Sequence, residues 1–174
     1  IKTLMNNSSS IYSDQTVFYS DFVPLLSSDR ETGNFYMALP NEPKIYNLNT
    51  KTGEWQNFLI LDSLTGFTEP KGIRFQDQNK NLKLGFGVND LEIVFGVSNP
   101  RILKLLPGKD KFGIIYRTGL PKHLIPTASD GIYRLRDKHQ KIIFCLYEGE
   151  NQVISVILED IENYKNSIFV NDKY

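Results

Sequence analysis

The chain has 174 residues, of which 40% are hydrophobic and 23% charged, as in an ordinary globular domain with a hydrophobic core. Its twenty basic and twenty acidic residues cancel to a formal net charge of zero. No apolar run approaches the roughly 18 residues that a membrane-spanning helix needs, and one cysteine, Cys145, excludes an internal disulfide. The compartment is left open, with the cytoplasm slightly favoured.

The first third of the chain predicts short strands. Residues 1–15 carry little pattern and predict either a short helix or a flexible lead. The apolar, aromatic run at 16–26 predicts a strand or a buried turn, and residues 35–40 predict a short strand. Two alternating runs flank "NTKTG", so residues 44–62 predict a β-hairpin with Trp55 packed across it.

The middle of the chain continues the β pattern with one exception. Residues 73–88 predict a second hairpin, and the apolar residues 91–98 predict a strand. Residues 99–108 ("NPRILKLLPG") predict a short helix, because Asn99 suits the N-cap and Pro100 the first helical position.

The last third predicts a strand at 111–119, a loop at 120–130 and a long hairpin at 131–160, with its turn at "YEGEN". In total we expect roughly eight to ten strands and one or two short helices. This predicts a mainly β (β-rich α+β) single domain over residues 1–174, built as an antiparallel curved sheet, barrel or sandwich. Cys145 lies in the apolar "KIIFCLYEG" and predicts a small buried side chain.

Charge is distributed unevenly along the chain. Residues 101–141 contain ten Lys or Arg and three acids, a balance of 10 − 3 = +7, and both histidines. Residues 148–174 contain two lysines and six acids, a balance of 2 − 6 = −4. Either the two segments pair within the fold, or the basic segment binds a polyanion.

If residues 131–139 form a strand, Arg134 and Arg136 share one face and can hold phosphate. Lys111 and Arg117 are then expected on a neighbouring strand. Two aromatic residues, Tyr116 and Tyr133, are candidates for stacking on unpaired bases. The alternative is a solvated outer face neutralised by the acidic tail.

Three residues are candidates for metal-independent ribonuclease chemistry, which needs a proton acceptor, a proton donor and a cation beside the phosphorane. His123 and His139 are candidates for proton transfer, and Lys122 for stabilising the developing charge. The alternative is two ordinary surface histidines. No Cys or carboxylate cluster stands at ligand spacing near them, so we expect neither a metal nor a cofactor.

Residues 122–160 resemble the C-terminal half of RelE/HigB-type toxins through "KHL", "DGIYRLR" and "GENQVISVI". The resemblance implies metal-independent RNA cleavage by basic and aromatic residues on a sheet. It assigns Arg134, Arg136 and His139 to the active site. The toxins are usually shorter, and their preceding helical pair has no counterpart in this sequence.

Residues 64–75 ("LTGFTEPKGIRF") resemble the LAGLIDADG homing-endonuclease signature, with "KLGFGV" and "NPRILKLL" following in order. Lys71 occupies the position of the metal-binding acid, and Pro70 would disturb the signature helix. The resemblance therefore implies an inactive relative that binds DNA or RNA. Neither likeness is long enough to assign a family.

Two functional hypotheses follow. The first is a nucleic-acid-directed protein, for RNA or another single strand, acting as a metal-independent endoribonuclease of toxin type. The second is a non-catalytic β-rich module that binds a protein partner. Whether the chain is an enzyme is left open.

Overall fold

The computed structural model describes residues 17–18, 23–61, 67, 73–74, 93–94, 96–126 and 130–158. They form two four-stranded antiparallel sheets and a separate pair made by β1 (Val17–Phe18) and β6 (Ile73–Arg74). One α-helix, α1 (Ile132–His139), and a 3₁₀ turn (Lys122–Leu124) complete the named elements. The predicted mainly β fold is confirmed. Residues 1–15 and most of the predicted 73–88 hairpin lie outside the described residues.

The first sheet has the order β2-β3-β4-β5. Its strands are β2 (Leu25–Ser28), β3 (Phe35–Ala38), β4 (Lys44–Asn49) and β5 (Glu54–Ile60). The predicted strand at 35–40 and the hairpin at 44–62 are confirmed, and Leu48 stands opposite Trp55 across that hairpin. Its turn ends at Gly53, whose φ of 73° is easily reached only without a Cβ.

The second sheet has the order β10-β9-β8-β7. Its strands are β7 (Arg101–Pro107), β8 (Phe112–Arg117), β9 (Ile142–Glu148) and β10 (Asn151–Leu158). The predicted strand at 111–119 is confirmed, and so is the turn between β9 and β10, where Gly149 has a φ of 61°. Both β7 and β10 are edge strands of this sheet.

The predicted helix at 99–108 is wrong, because these residues form strand β7. Ile102 and Leu105 are buried three residues apart, which resembles helical spacing. The spacing instead comes from a β-bulge between Ile102 and Lys104, where β7 carries one extra residue relative to β8. The bulge shifts the period-2 alternation by one position, so the local pattern imitates a helix.

Two predicted strands are helical instead. Residues 93–94 and 96–98 are helical, and α1 replaces the beginning of the first strand of the hairpin predicted at 131–160, while the rest of that strand forms β9. In α1, Ile132 is buried and Leu135 half-buried, a spacing of three that faces one side of a helix. The segment "IYRLRD" also alternates apolar and polar residues over a few positions, which is why it predicts a strand.

The two sheets share one hydrophobic core. The Tyr36 and Phe58 rings of the first sheet lie 4.8 and 5.1 Å from the Phe112 ring of the second, measured between centroids. The core continues through β8 and β9, where Ile114 and Cys145 are fully buried, as predicted for the cysteine. A smaller cluster packs the helical segments beside the second sheet through Val94, Leu120 and Ile132.

None of the helices within the described residues is long and apolar enough to cross a membrane.

Candidate functional site

The basic segment is divided between opposite ends of the second sheet. Lys111 precedes β8, where its Nζ lies 3.0 Å from Oε1 of Glu148 at the end of β9. Arg117 ends β8, six residues and about 20 Å farther along the strand. Lys111 therefore cannot act on the same phosphate as Arg117.

Arg117 belongs to a group of three arginines at its end of the sheet. It stands opposite Arg101 in the β7–β8 register. Burial first, and then the charges of Arg101 and Arg136, lower the pKa of Arg117 to about 10. One guanidinium nitrogen of Arg117 donates to the Gly96 carbonyl at 3.1 Å. A cation near the last carbonyls of a helical turn is stabilising, so Arg117 has a structural role here.

Arg134 and Arg136, which the sequence predicts to hold phosphate from one face of a strand, lie on helix α1 instead. Residues two apart on a helix point about 200° away from each other, so Arg134 and Arg136 do not share a face. Arg134 is exposed. Arg136 is half-buried, pairs with Asp137 at 2.8 Å and lies 5.1 Å from the centroid of the Tyr133 ring. The exposed cations of α1 that lie one turn apart are Arg134 and Lys138.

The tyrosines predicted to stack on bases have opposite environments. Tyr116 is 0% exposed, packs 5.8 Å from the Phe67 ring and accepts a weak hydrogen bond from the Cys145 thiol at 3.9 Å. Its ring is closed to any base, so that prediction is wrong. Tyr133 is 51% exposed, with the Arg136 guanidinium beside its ring.

The histidines lie near the cationic end of the second sheet, on separate elements. Lys122 and His123 are exposed in the 3₁₀ turn. His139 is half-buried at the last position of α1. Their roles in proton transfer and charge stabilisation stay predictions. Among the described residues, no group of three His, Cys, Asp or Glu could hold a metal ion.

The final strand, β10, is a surface that the sequence reasoning did not single out. It pairs with β9 on one side, and no strand of the described part of the chain pairs with its other side. Val153, Ile154, Val156 and Ile157 are each between 45% and 48% exposed. The strand "NQVISVIL" contains no charged residue. That lack of charge is the signal in the sequence that distinguishes this strand.

The two faces of β10 carry different apolar neighbours. Opposite Ile154 and Val156 on β9 stand Leu146 and Phe144, both half-buried. Opposite Ser155 and Ile157 stand Cys145 and Ile143, which belong to or pack against the main core. A side chain added next to β10 on either face would therefore meet apolar surface.

A second apolar surface lies on the first sheet. A concavity of about 290 Å³ is lined by Leu26, Phe35, Leu48 and Trp55, together with Ser27, Ser28 and Tyr36. Leu26 and Phe35 are exposed, and Leu48 and Trp55 are half-buried. Strongly exposed apolar side chains thus occur on both sheets.

The toxin resemblance requires its basic residues on a sheet, whereas Arg134 and Arg136 lie on α1. The homing-endonuclease resemblance is followed by "NPRILKLL", most of which is strand β7. No family model, no curated protein and no solved structure matches this chain.

Proposed function

We propose that the chain is a non-catalytic, β-rich module that binds a protein partner by strand addition at β10. The observation that carries this proposal is an eight-residue strand whose outer edge pairs with no strand among the described residues, with four exposed β-branched side chains and no charge. A strand edge presents unpaired backbone N–H and C=O groups, and proteins usually protect such edges with lysine, proline or a covering element.

Strand addition explains both the backbone and the side chains of β10. Main-chain hydrogen bonds supply affinity in this mode, and alternating side chains supply specificity. A bulge between Gln152 and Ile154 distorts the N-terminal part of the strand, and the remainder pairs regularly with β9 as far as Leu158. The regular part, Ile154–Leu158, is therefore the segment that an incoming strand would extend.

The proposal is tested with an uncharged peptide of alternating valine and threonine, added to the full chain and followed by fluorescence anisotropy and backbone amide exchange. We expect binding, with slowed exchange of β10 amides that point away from β9. A peptide methylated on alternate backbone nitrogens is the matched probe, because it keeps the side chains but cannot complete the hydrogen bonds.

Two variants identify the edge that is used. Ile154→Lys places a charge on β10 and should abolish peptide binding. Ile60→Lys is the control, because Ile60 is also an exposed β-branched residue, 60% against 46% for Ile154, and lies on β5, an edge strand of the other sheet. Equal loss in both variants, or no binding by the unchanged chain, would contradict strand addition at β10.

A second candidate function is binding of RNA or another single strand at the cationic end of the second sheet. It is supported by the gathering of Arg101, Arg117 and Arg136, which is close enough to lower the pKa of Arg117. The exposed residues Arg134 and Lys138 of α1 extend this surface. An endoribonuclease of toxin type would further need proton transfer by His123 and His139, with Lys122 beside the phosphate.

This candidate is tested by binding of labelled single-stranded RNA at several salt concentrations. If Arg134 and Lys138 each contact a phosphate, the double variant Arg134→Ala/Lys138→Ala should reduce the slope of log K against log salt by about 1.4. Lys111→Ala is the control, since Lys111 lies at the other end of β8. Incubation with total RNA in chelator, comparing the unchanged chain with His139→Ala, tests cleavage. Salt-independent binding would contradict the candidate.

A further inference from the structure

We infer that the second sheet carries a binding site for a phosphate group, formed where Arg101, Arg117 and Arg136 surround the helical residues 96–98. The ligand is free phosphate or a small phosphate monoester, which carries roughly 1.5 to 2 negative charges at neutral pH. The inference is independent of strand addition at β10. It also differs from binding of an RNA backbone, because each internal phosphate of RNA is a diester with a single charge.

The end of strand β8 and the end of helix α1 meet at residues 96–98. The Gly96 carbonyl accepts a hydrogen bond from the Arg117 guanidinium at 3.1 Å. The Val97 carbonyl accepts one from the Gln140 side-chain amide at 2.7 Å. Two consecutive carbonyls therefore hold the Arg117 side chain and the C-terminal end of α1 at the same turn. The bond to Gly96 uses one N–H of the guanidinium, which has several more to donate.

The other two arginines lie beside this turn as well. Arg101 stands opposite Arg117 in the β7–β8 register, which brings their Cα atoms to about 5 Å from each other. The Gln140 N–H donates to the Arg136 carbonyl at 2.8 Å and closes the last turn of α1. Residues four apart lie on the same side of a helix, so Arg136 lies on the side of α1 that Gln140 attaches to Val97.

The described side chains around Arg117 carry an excess of positive charge. Burial first, and then the charges of Arg101 and Arg136, lower the pKa of Arg117 to about 10. Asp137 pairs with Arg136 at 2.8 Å, but among the described residues no carboxylate pairs with Arg117. Three arginines and one aspartate have a charge balance of 3 − 1 = +2. A phosphate monoester offsets most of this charge, whereas a carboxylate offsets half of it.

Three polar atoms at this turn are buried and have no hydrogen-bond partner in the described part of the chain. They are Nε of Arg117, Oε1 of Gln140 and Oγ of Ser98, a residue that is only 2% exposed. Buried polar atoms are normally satisfied, because leaving one unpaired is costly. Arg117 and Ser98 can donate to phosphate oxygens, and Gln140 can accept from a phosphate oxygen that carries a proton. A phosphate at this turn would therefore supply partners for these atoms and oppose the arginine charge.

The experiment measures binding of inorganic phosphate, methyl phosphate and dimethyl phosphate to the full chain by isothermal titration calorimetry at constant ionic strength. At about pH 8 the first two are mostly doubly charged, and the diester carries one charge. We expect both doubly charged anions to bind, and dimethyl phosphate to bind roughly tenfold more weakly or not at all. Both should also raise the denaturant midpoint of the chain, because a ligand that binds only the folded state stabilises it.

Matched variants locate the site. Arg117→Gln and Arg136→Gln should each weaken binding of inorganic phosphate roughly tenfold. Ser98→Ala should also weaken binding, but without phosphate it should leave the free energy of unfolding nearly unchanged, because its hydroxyl has no hydrogen bond to lose. Arg30→Gln is the control, because Arg30 is an exposed arginine in the turn between β2 and β3 of the other sheet.

The outcomes that would overturn the inference are distinct. Dimethyl phosphate that binds as tightly as inorganic phosphate would favour a diester such as the RNA backbone instead. Binding of none of the three compounds would show that this turn holds no phosphate. Unchanged affinity in Arg136→Gln or in Ser98→Ala would place the bound phosphate elsewhere. None of these results bears on strand addition, which Ile154→Lys tests separately.

Discussion

Glu42 shows how a single buried carboxylate is accommodated in this fold. It is fully buried after β3, where it accepts a hydrogen bond from the Tyr46 hydroxyl at 2.9 Å. Its other oxygen, Oε1, lies 3.8 Å from the Lys44 Nζ. Burial raises the pKa of Tyr46 well above its usual value, and the charge of Glu42 and the hydrogen bond act in the same direction. Tyr46 therefore stays protonated and remains a donor.

This arrangement predicts a loss of stability at alkaline pH. The pKa of Tyr46 is higher in the folded than in the unfolded chain, so its contribution is constant below about pH 10 and decreases above it. The slope should reach about 1.4 kcal/mol per pH unit for this one proton. Urea unfolding between about pH 8 and about pH 11 measures it.

Tyr46→Phe should be less stable below about pH 10. Above that pH its deficit should shrink, because the variant lacks part of that slope. The pKa of Tyr36 is also raised, mainly by burial, so a smaller slope should remain. Tyr133→Phe is the control, because Tyr133 is exposed and should leave the profile unchanged. An unchanged alkaline slope in Tyr46→Phe would show that the Glu42–Tyr46 contact does not control it.

At the scale of elements, the β9–β10 hairpin depends on one backbone conformation. Gly149 has a φ of 61°, and a Cβ added there would meet nothing within 4 Å. The effect of a substitution is therefore backbone strain alone. We expect Gly149→Ala to destabilise the chain by about 1 kcal/mol. Gly149→Asn should be milder because asparagine tolerates this region.

Denaturant unfolding of both variants measures these differences, and amide exchange shows whether they act at the hairpin. We expect exchange to accelerate in β9 and β10 more than in β4 and β5. Equal stability of the alanine and asparagine variants, or uniform acceleration across both sheets, would contradict a turn-specific effect.

At the scale of the whole molecule, the ring contacts of Tyr36 and Phe58 with Phe112 join the two sheets into one core. The chain has two natural probes, one in each sheet. Its only tryptophan, Trp55, lies on β5, and its only cysteine, Cys145, is buried on β9. We expect Trp55 fluorescence and Cys145 thiol labelling to report the same denaturant midpoint, because neither sheet keeps its core without the other.

Phe112→Ala should move both midpoints together, with a loss of about 3–5 kcal/mol. Leu26→Ala is the control, since Leu26 is exposed on β2 and its truncation should leave both denaturant midpoints nearly unchanged. Separate midpoints, or a Phe112→Ala effect confined to Cys145, would show that the sheets unfold independently.

The local sequence was sufficient to predict the β class, the hairpin at 44–62, the strand at 111–119, the turn at Gly149 and the burial of Cys145. These features depend on alternation and turn residues, which act over a few positions. The local sequence predicted the wrong element in two places. At β7 it predicted a helix, because a bulge imitates helical spacing, and at α1 it predicted a strand, because a short run alternates apolar and polar residues. In both places, packing against distant residues selects among conformations that the local pattern allows.

For the candidate site, the sequence by itself determined which residues carry charge and that β10 carries none. Only the tertiary structure decided that Tyr116 lies in the core, that Lys111 and Arg117 stand at opposite ends of a strand, and that β10 is the edge strand of its sheet among the described residues. The physical reason is that charge and hydrophobicity belong to single residues, whereas exposure and the pairing of an edge depend on which strands meet. Strand order is set by contacts between residues far apart in the chain, and a single sequence read locally does not contain it.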